Sequence, residues 1–250
     1  MTDIMAIVNQ TMNADSERLR SLSQNLANVN TEGYKREVVT QRFDRLMPQG
    51  AAIDKGSNGI ISARSLNPHI TYDLSQGALK QTGQSMDVAL NGTGFLQVNK
   101  DGNTYFTRKG HLAINAQGVL SLTSGEEVSA SGGELRLDGT DINIDAKGLL
   151  SQGGSNLGKL DVVHFEDVRQ LHYIGNGLFE IGNASVSSEG NTRVQQGFVE
   201  ASNVDSLAEM TALIEATRHF EASSQVLNCI LYTTDAADEK EKLIAGGTLT

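Results

Sequence analysis

Residues 87–98 read Asp87-Val88-Ala89-Leu90-Asn91-Gly92-Thr93-Gly94-Phe95-Leu96-Gln97-Val98. Two short apolar runs flank a Gly-rich tetrapeptide, and runs of that length around such a turn predict paired strands. The same pattern continues downstream. Tyr105-Phe106-Thr107, Leu112-Ala113-Ile114 and Val119-Leu120-Ser121-Leu122 read as strands, with Asp101-Gly102-Asn103 and Gln117-Gly118 as turns. Leu135 and Leu137, then Ile142 and Ile144, alternate with polar residues, and Leu160 to Phe165, Leu178 to Ile181 and Arg193 to Val199 extend the series. Many short strands predict a sandwich or an irregular barrel. The chain holds 26 Gly and only 2 Pro, which suits tight strand turns better than a Pro-rich linker.

Both ends change period. Residues 1 to about 31 contain no Gly or Pro, and Met5, Val8, Met12, Leu19, Leu22, Leu26 and Val29 recur at steps of three and four. Asp15 is the one polar interruption of that seam. The spacing predicts a long amphipathic helix, ended by Thr31-Glu32-Gly33, where Gly33 is free to take a left-handed cap. Near the other end Ser202 precedes Asp205 by three residues, a weak capping box. Met210, Leu213, Phe220, Leu227 and Leu231 then form a second stripe, with Thr217 and Ser224 on the same line. The stripe fades between Asp235 and Lys242, and Gly246-Gly247 stops any helix. Residues 47–77 carry no clear period.

The fold class is therefore α+β, a central all-β domain between two long terminal helices. The boundaries read as 1–34, N-terminal helix; 35–84, connecting segment; 85–199, β domain; 200–250, C-terminal helix and tail. A long helix with an apolar stripe is marginal alone in water. The two helices can cover each other as a hairpin closing one globular domain, or share their stripes with other copies of the chain. Periodicity leaves both open.

Composition removes several function classes. The net charge is −10, which disfavours nucleic acid and an anionic membrane surface as partners, since both require clustered Lys and Arg. No apolar run approaches the roughly 20 residues of a membrane span, so no membrane insertion is expected. Met1-Thr2-Asp3 opens without a basic region and apolar run, so no cleaved signal peptide is expected. Cys229 is the single cysteine, read as a small buried hydrophobe near the helical stripe rather than a nucleophile. His164 and Glu166 share a strand face but lack a third ligand. Asp141, Asn143 and Asp145 imitate the start of a calcium loop, yet Ala146 and Gln152 stand where Gly and Glu are required, so a strand entering a turn at Asp145–Gly148 is the better account. Gly92-Thr93-Gly94 and Gly175-Asn176-Gly177 lack the dinucleotide-binding pattern, and no Gly-x-Ser-x-Gly motif exists. No catalytic, metal or cofactor residue is assigned, and no enzyme is expected.

Three segments carry a resemblance. Residues 25–36, Asn25-Leu26-Ala27-Asn28-Val29-Asn30-Thr31-Glu32-Gly33-Tyr34-Lys35-Arg36, resemble the N-terminal signature of the bacterial flagellar rod and hook family. Residues 87–98, followed by Tyr105-Phe106-Thr107-Arg108-Lys109-Gly110, are similar to its central motif, and Phe198-Val199-Glu200-Ala201-Ser202-Asn203-Val204 to its signature before the last helix. Order and spacing agree across nearly the whole chain. Glu32 replaces a Pro usual in the family, and Phe106 a common Tyr. The middle has room for one β domain, which points to rod rather than hook members. Among rod members Arg218-His219-Phe220-Glu221 looks more like the proximal type, beside the distal rod, than like the Arg-Ala-Tyr-Glu of the distal type.

The resemblance implies terminal helices paired as a coiled coil and stacked with other copies into a hollow shaft that crosses the periplasm and transmits motor torque. It implies Leu19, Leu22, Leu26, Met210, Leu213, Phe220 and Leu227 as the helix seam. Asn25, Asn28, Ser202 and Asn203 would fix helix entry and exit, Gly92 and Gly94 the turn, and Phe95 the β core. Gly33, Tyr34, Arg108, Gly110 and Val204 complete the matched motif residues. The partners implied are further copies, other proximal rod subunits, the distal rod protein and the flagellar export apparatus, with no cofactor. A β-rich binding module and a carboxylate hydrolase are the readings from other classes. Neither requires striped helices at both ends.

Overall fold

The computed structural model describes residues 2–41, 68–131, 133–137, 139–187 and 190–246. Two helices bracket the chain, α1 (Thr2–Ala27) and α2 (Ser206–Gly246). The strands in chain order are β1 (Arg36–Gln41), β2 (Pro68–Asp73), β3 (Leu79–Gln81), β4 (Val88–Asn91), β5 (Phe95–Lys100), β6 (Asn103–Thr107), β7 (Leu112–Ile114), β8 (Leu120–Leu122), β9 (Glu127–Ser131) and β10 (Gly133–Glu134). They continue as β11 (Asn143–Ile144), β12 (Leu149–Gln152), β13 (Ser155–Leu160), β14 (Val162–Phe165), β15 (His172–Gly175), β16 (Leu178–Glu180), β17 (Val186–Ser187), β18 (Arg193–Gln196) and β19 (Phe198–Glu200). The α+β class read from the sequence is observed.

The chain divides into two compact units. One contains residues 25–37 and 72–206, the other the described residues 2–24, 38–41, 68–71 and 207–246.

In the β unit a branched antiparallel sheet runs β11-β12-β13-β9-β5-β6-β16-β15. The hairpin β5–β6 closes at Lys100 opposite Asn103, with Asp101 and Gly102 at φ 51° and 79°. Two successive positive φ angles make a type I′ turn, whose twist matches that of the strands it joins, and Asp-Gly is a favoured sequence for it. One core is aliphatic, built on Val88, Leu90, Leu96, Val98, Leu120 and Leu150. The other is aromatic: Phe95 meets Phe165 and Phe179 edge-on at 5.8 and 5.9 Å, and Phe106 meets Phe165 at 4.9 Å. Edge-to-face rings at these distances add to burial because ring edges are positive and faces negative. Two small pairs, β18–β4 and β19–β3, return the chain toward its C-terminal end.

In the helical unit, Met5, Val8, Met12, Leu19 and Leu22 are at least half-covered, and so is Asp15. Asp15 Oδ2 lies 2.7 Å from His219 Nδ1, so the polar residue that interrupts the seam of α1 has its partner on α2. A small cavity lined by Val8, Thr11, Ala222, Ser223 and Val226 lies next to that contact. On α2 the covered line runs Glu209, Leu213, Ala216, Phe220, Ser223, Leu227 and Ile230, in steps of four and three. Leu207, Met210 and Ile214 are exposed.

The structure departs from the sequence reading in several places. α1 stops at Ala27 rather than near residue 31, because Asn28 and Thr31 close tight turns, Asn28 N to Asn25 O (3.1 Å) and Thr31 N to Asn28 O (3.0 Å). The side chains of Asn25 and Asn28 favour this exit by bonding outside the helix, Asn25 Oδ1 accepting from Glu37 N (2.8 Å) and Asn28 Oδ1 from Thr31 Oγ1 (3.1 Å). The stretch 35–84 contributes strands β1, β2 and β3. Their apolar residues are too few for a visible period. Within that stretch, residues 42–67 lie outside the described residues. Cys229 is exposed, not buried: two positions beyond Leu227, it is turned about 200° away from the covered line. The Ser202 hydroxyl accepts from Val204 N (3.3 Å), so it caps a local turn ahead of α2.

Candidate functional site: a buried charge knot

Glu200, the last residue of β19, is 1% exposed and stands at the centre of the site. Its Oε1 accepts from Lys35 Nζ and from Gly77 N (2.9 Å). Its Oε2 accepts from Arg108 Nη1 (3.3 Å). Lys35 comes from the connection after α1 and also donates to the Ser75 carbonyl (2.6 Å). Arg108 follows β6, donates through Nη2 to the Gly92 carbonyl (2.8 Å), and lies 4.8 Å from the centre of the Phe95 ring. Three distant segments are thereby tied to one carboxylate.

Two cations share this carboxylate away from water. Burial is the main influence on both, and it lowers the pKa of Lys35 and of Arg108 below their ordinary values. Glu200 opposes that shift through its charge and its hydrogen bonds. Carbonyl dipoles and the π face of Phe95 supply further negative potential to the cations. Asp73 lies within electrostatic reach of Lys35. The Ser75 amide is the main influence on Asp73 and lowers its pKa below the usual carboxylate value. Arg108 Nε has no hydrogen-bond partner among the described residues.

The surrounding backbone is clamped by asparagines. Asn25 is fully buried, and its side chain imitates a neighbouring strand. Nδ2 donates to Glu37 O (2.8 Å), and Oδ1 accepts from Glu37 N (2.8 Å) and from Tyr34 Oη (3.1 Å). Asn203 does the same just before α2, accepting from Arg36 N (2.8 Å) and donating to Asp73 O (2.8 Å). Gly33 donates its amide to Glu200 O (2.7 Å) at φ +66°, and a Cβ there would stand 2.9 Å from Lys109 N. Gly110 runs against β4, where a Cβ would stand 1.5 Å from the Val88 carbonyl oxygen. Only glycine permits that approach.

Of the residues singled out from sequence, the knot brings together Asn25, Gly33, Tyr34, Gly92, Phe95, Arg108 and Asn203. Gly94 lies beside it with its amide on Thr192 Oγ1 (2.9 Å), and Val204 is buried. Asn28 and Ser202 serve local turns, and Leu19, Leu22, Leu213, Phe220 and Leu227 lie in the helical unit. Sequence reasoning missed Lys35 and Glu200 as the centre of the site. Glu200 carried a signal, as the lone charge in residues 198–204, whereas Lys35 is one of three charges in residues 25–36, beside Glu32 and Arg36, and nothing local singles it out.

The knot is closed to solvent, so no substrate can reach its charges. It can fix positions, and chemistry on a substrate is outside its reach. Elsewhere Asp145 Oδ1 accepts from Lys147 N and Leu149 N (both 2.8 Å), which makes the Asp141–Asp145 stretch a strand entering a turn. His164 Nε2 is 2.8 Å from Thr192 Oγ1. Among the described residues no group of three or more His, Cys, Asp or Glu is arranged to hold a metal. No helix among them is long and apolar enough to cross a membrane.

Comparison with known proteins follows the same segments. The family described as flagellar basal body rod FlgEFG protein C-terminal matches residues 195–228. That described as flagellar hook protein FlgE/F/G D1 domain matches residues 89–152. The flagellar basal-body rod protein FlgG of Agrobacterium fabrum is 30% identical over 270 residues, covering 96% of this chain and 97% of the relative. FlgG of Buchnera aphidicola from Acyrthosiphon pisum is 31% identical over 243 residues, with 87% and 91% covered. FlgF of Caulobacter vibrioides is 28% identical over 211 residues, with 83% and 84% covered.

Proposed function

Because the chain belongs to the flagellar basal-body rod protein family, a family of structural proteins rather than enzymes, we propose that it is a proximal rod subunit. It polymerises through its paired terminal helices, as a coiled coil, into the hollow drive shaft that crosses the periplasm. Its neighbours are further copies, other proximal rod subunits and the distal rod protein, and it reaches the rod through the flagellar export apparatus. Exposed apolar residues on α2, beside a line already covered, supply the contact surface that a polymer needs. Contacts between unlike surfaces that do not close into a ring build a helical filament.

The observation that carries the proximal reading is Arg218-His219-Phe220-Glu221, in which His219 meets Asp15. An alanine at that position, as in the distal motif, has no such partner. The distal reading is the alternative, favoured by the FlgG relatives at 30 and 31% identity. Cross-linking in purified basal bodies decides between them. A photoreactive residue at Ile214 is expected to link to other proximal rod subunits; links to hook-side proteins alone would support the distal position. Leu22→Asp or Leu213→Asp is expected to abolish rod incorporation and swimming while the β unit stays folded. Normal swimming of either variant would refute assembly through the helices.

A further inference from the structure

Within the β unit, the connection after α1 meets the segments ahead of β4 and β7 at a titratable cluster that the Glu200 knot does not use. His111 is fixed by its backbone: its carbonyl accepts from Thr123 N and Thr123 Oγ1 (both 3.1 Å), and it forms an antiparallel bridge with Asp87. On this fixed base the imidazole has a carboxylate on each side. Nδ1 hydrogen-bonds Asp87 Oδ1, and Nε2 stands 3.5 Å from Glu32 Oε2. The Asp87 side chain is 1% exposed, and its Oδ2 has no hydrogen-bond partner among the described residues. The other charges at this cleft are engaged elsewhere. Lys109 Nζ donates to Asn176 Oδ1 (3.0 Å), while Glu126 is held by Lys100 (3.1 Å) and Ser124.

A neutral imidazole carries one N–H, and only the imidazolium can donate from both nitrogens. The geometry points to His111 as a proton-operated latch. Protonated, it ties Glu32 of the 28–35 connection to Asp87, just ahead of β4; on losing its proton it keeps Asp87 and releases Glu32. The remaining N–H stays with Asp87, because a buried carboxylate without a donor is costlier than a solvated one. The Nε2 lone pair then faces the Glu32 carboxylate, and that side chain, 34% exposed, turns to water. Its release widens a cleft of about 330 Å³ lined by Thr31, Lys109, Leu122 and Ser124. Gly33 remains bound to Glu200 O, so the loosening is confined to the turn ahead of it.

The test is an NMR titration of the full-length chain from pH 5.5 to 8.5. In the wild type the Thr31 and Glu32 amide shifts are expected to move with the same midpoint as the His111 ring protons. Exchange protection at Thr31, corrected for the intrinsic rate, is expected to fall roughly fivefold on deprotonation, as for the loss of one partly solvated ion pair. In Glu32→Gln the His111 ring still titrates, and the Thr31 amide no longer follows it. A Thr31 amide indifferent to pH in the wild type would overturn the latch. So would one that follows His111 unchanged in Glu32→Gln.

Discussion

Glu200 illustrates how one charge can outweigh its contacts. Deleting a buried partner costs more than the pair contributes, since the charge left behind has no solvent. In Glu200→Gln both Lys35 and Arg108 lose the carboxylate that balances them. Urea unfolding is expected to show a loss of about 3–5 kcal/mol, and a loss below about 1 kcal/mol would mean that the Ser75 and Gly92 carbonyls alone suffice. His164 gives a pH-dependent case. Burial first, and the charge of Arg108 second, lower its pKa in the folded state below 6.5. As pH falls through 6.5 the unfolded chain takes up a proton before the folded chain does. Stability therefore declines with falling pH down to the folded-state pKa and is flat in this term below it. His164→Gln is expected to flatten that segment of the curve, and thermal unfolding at pH 5 to 8 measures it.

At the level of elements, α2 presents two apolar lines with different fates. The line through Leu213, Ala216, Phe220 and Leu227 is covered within the chain, whereas Leu207, Met210 and Ile214 lie open, Leu207 at 75% exposure. Exposed residues contribute little to the fold of the single chain. Replacing all three by Ser is expected to leave the unfolding free energy of the monomer within about 1.5 kcal/mol of wild type while preventing rod incorporation. A large drop in monomer stability would show that these residues serve the fold instead. Asp15 has the opposite character. It is buried polarity within a seam, and such a group fixes helix register at some cost in stability. Its partner His219 could not be paired with it from sequence, since 204 residues separate them.

The whole molecule is two units built from interleaved chain segments. The β unit closes on residues 25–37 from one end and 198–203 from the other, and the Glu200 knot is where those ends meet the central motif. This explains why the signature segments stand where they do: each delivers one part of a single clamp next to the departure of a helix. Burial of that clamp also explains its polarity. Two cations and one carboxylate packed this way hold their geometry only if every partner arrives together.

The amino-acid order alone determined what depends on neighbours a few residues apart. The strands from Val88 to Leu122, the Asp101-Gly102 turn, the Asp145 turn and both helices follow from period, glycine placement and side-chain size. The end of α1 and the strands at 36–41 and 68–73 escaped, because a polar turn or a short strand leaves too few apolar residues to set a period. The tertiary structure decided what depends on separation in space. It selected Lys35, Arg108 and Glu200 as one site, joined His111 to both Glu32 and Asp87, and set which line of α2 is covered. Long-range pairing of charges is fixed by how strands cross, and no local spacing encodes it.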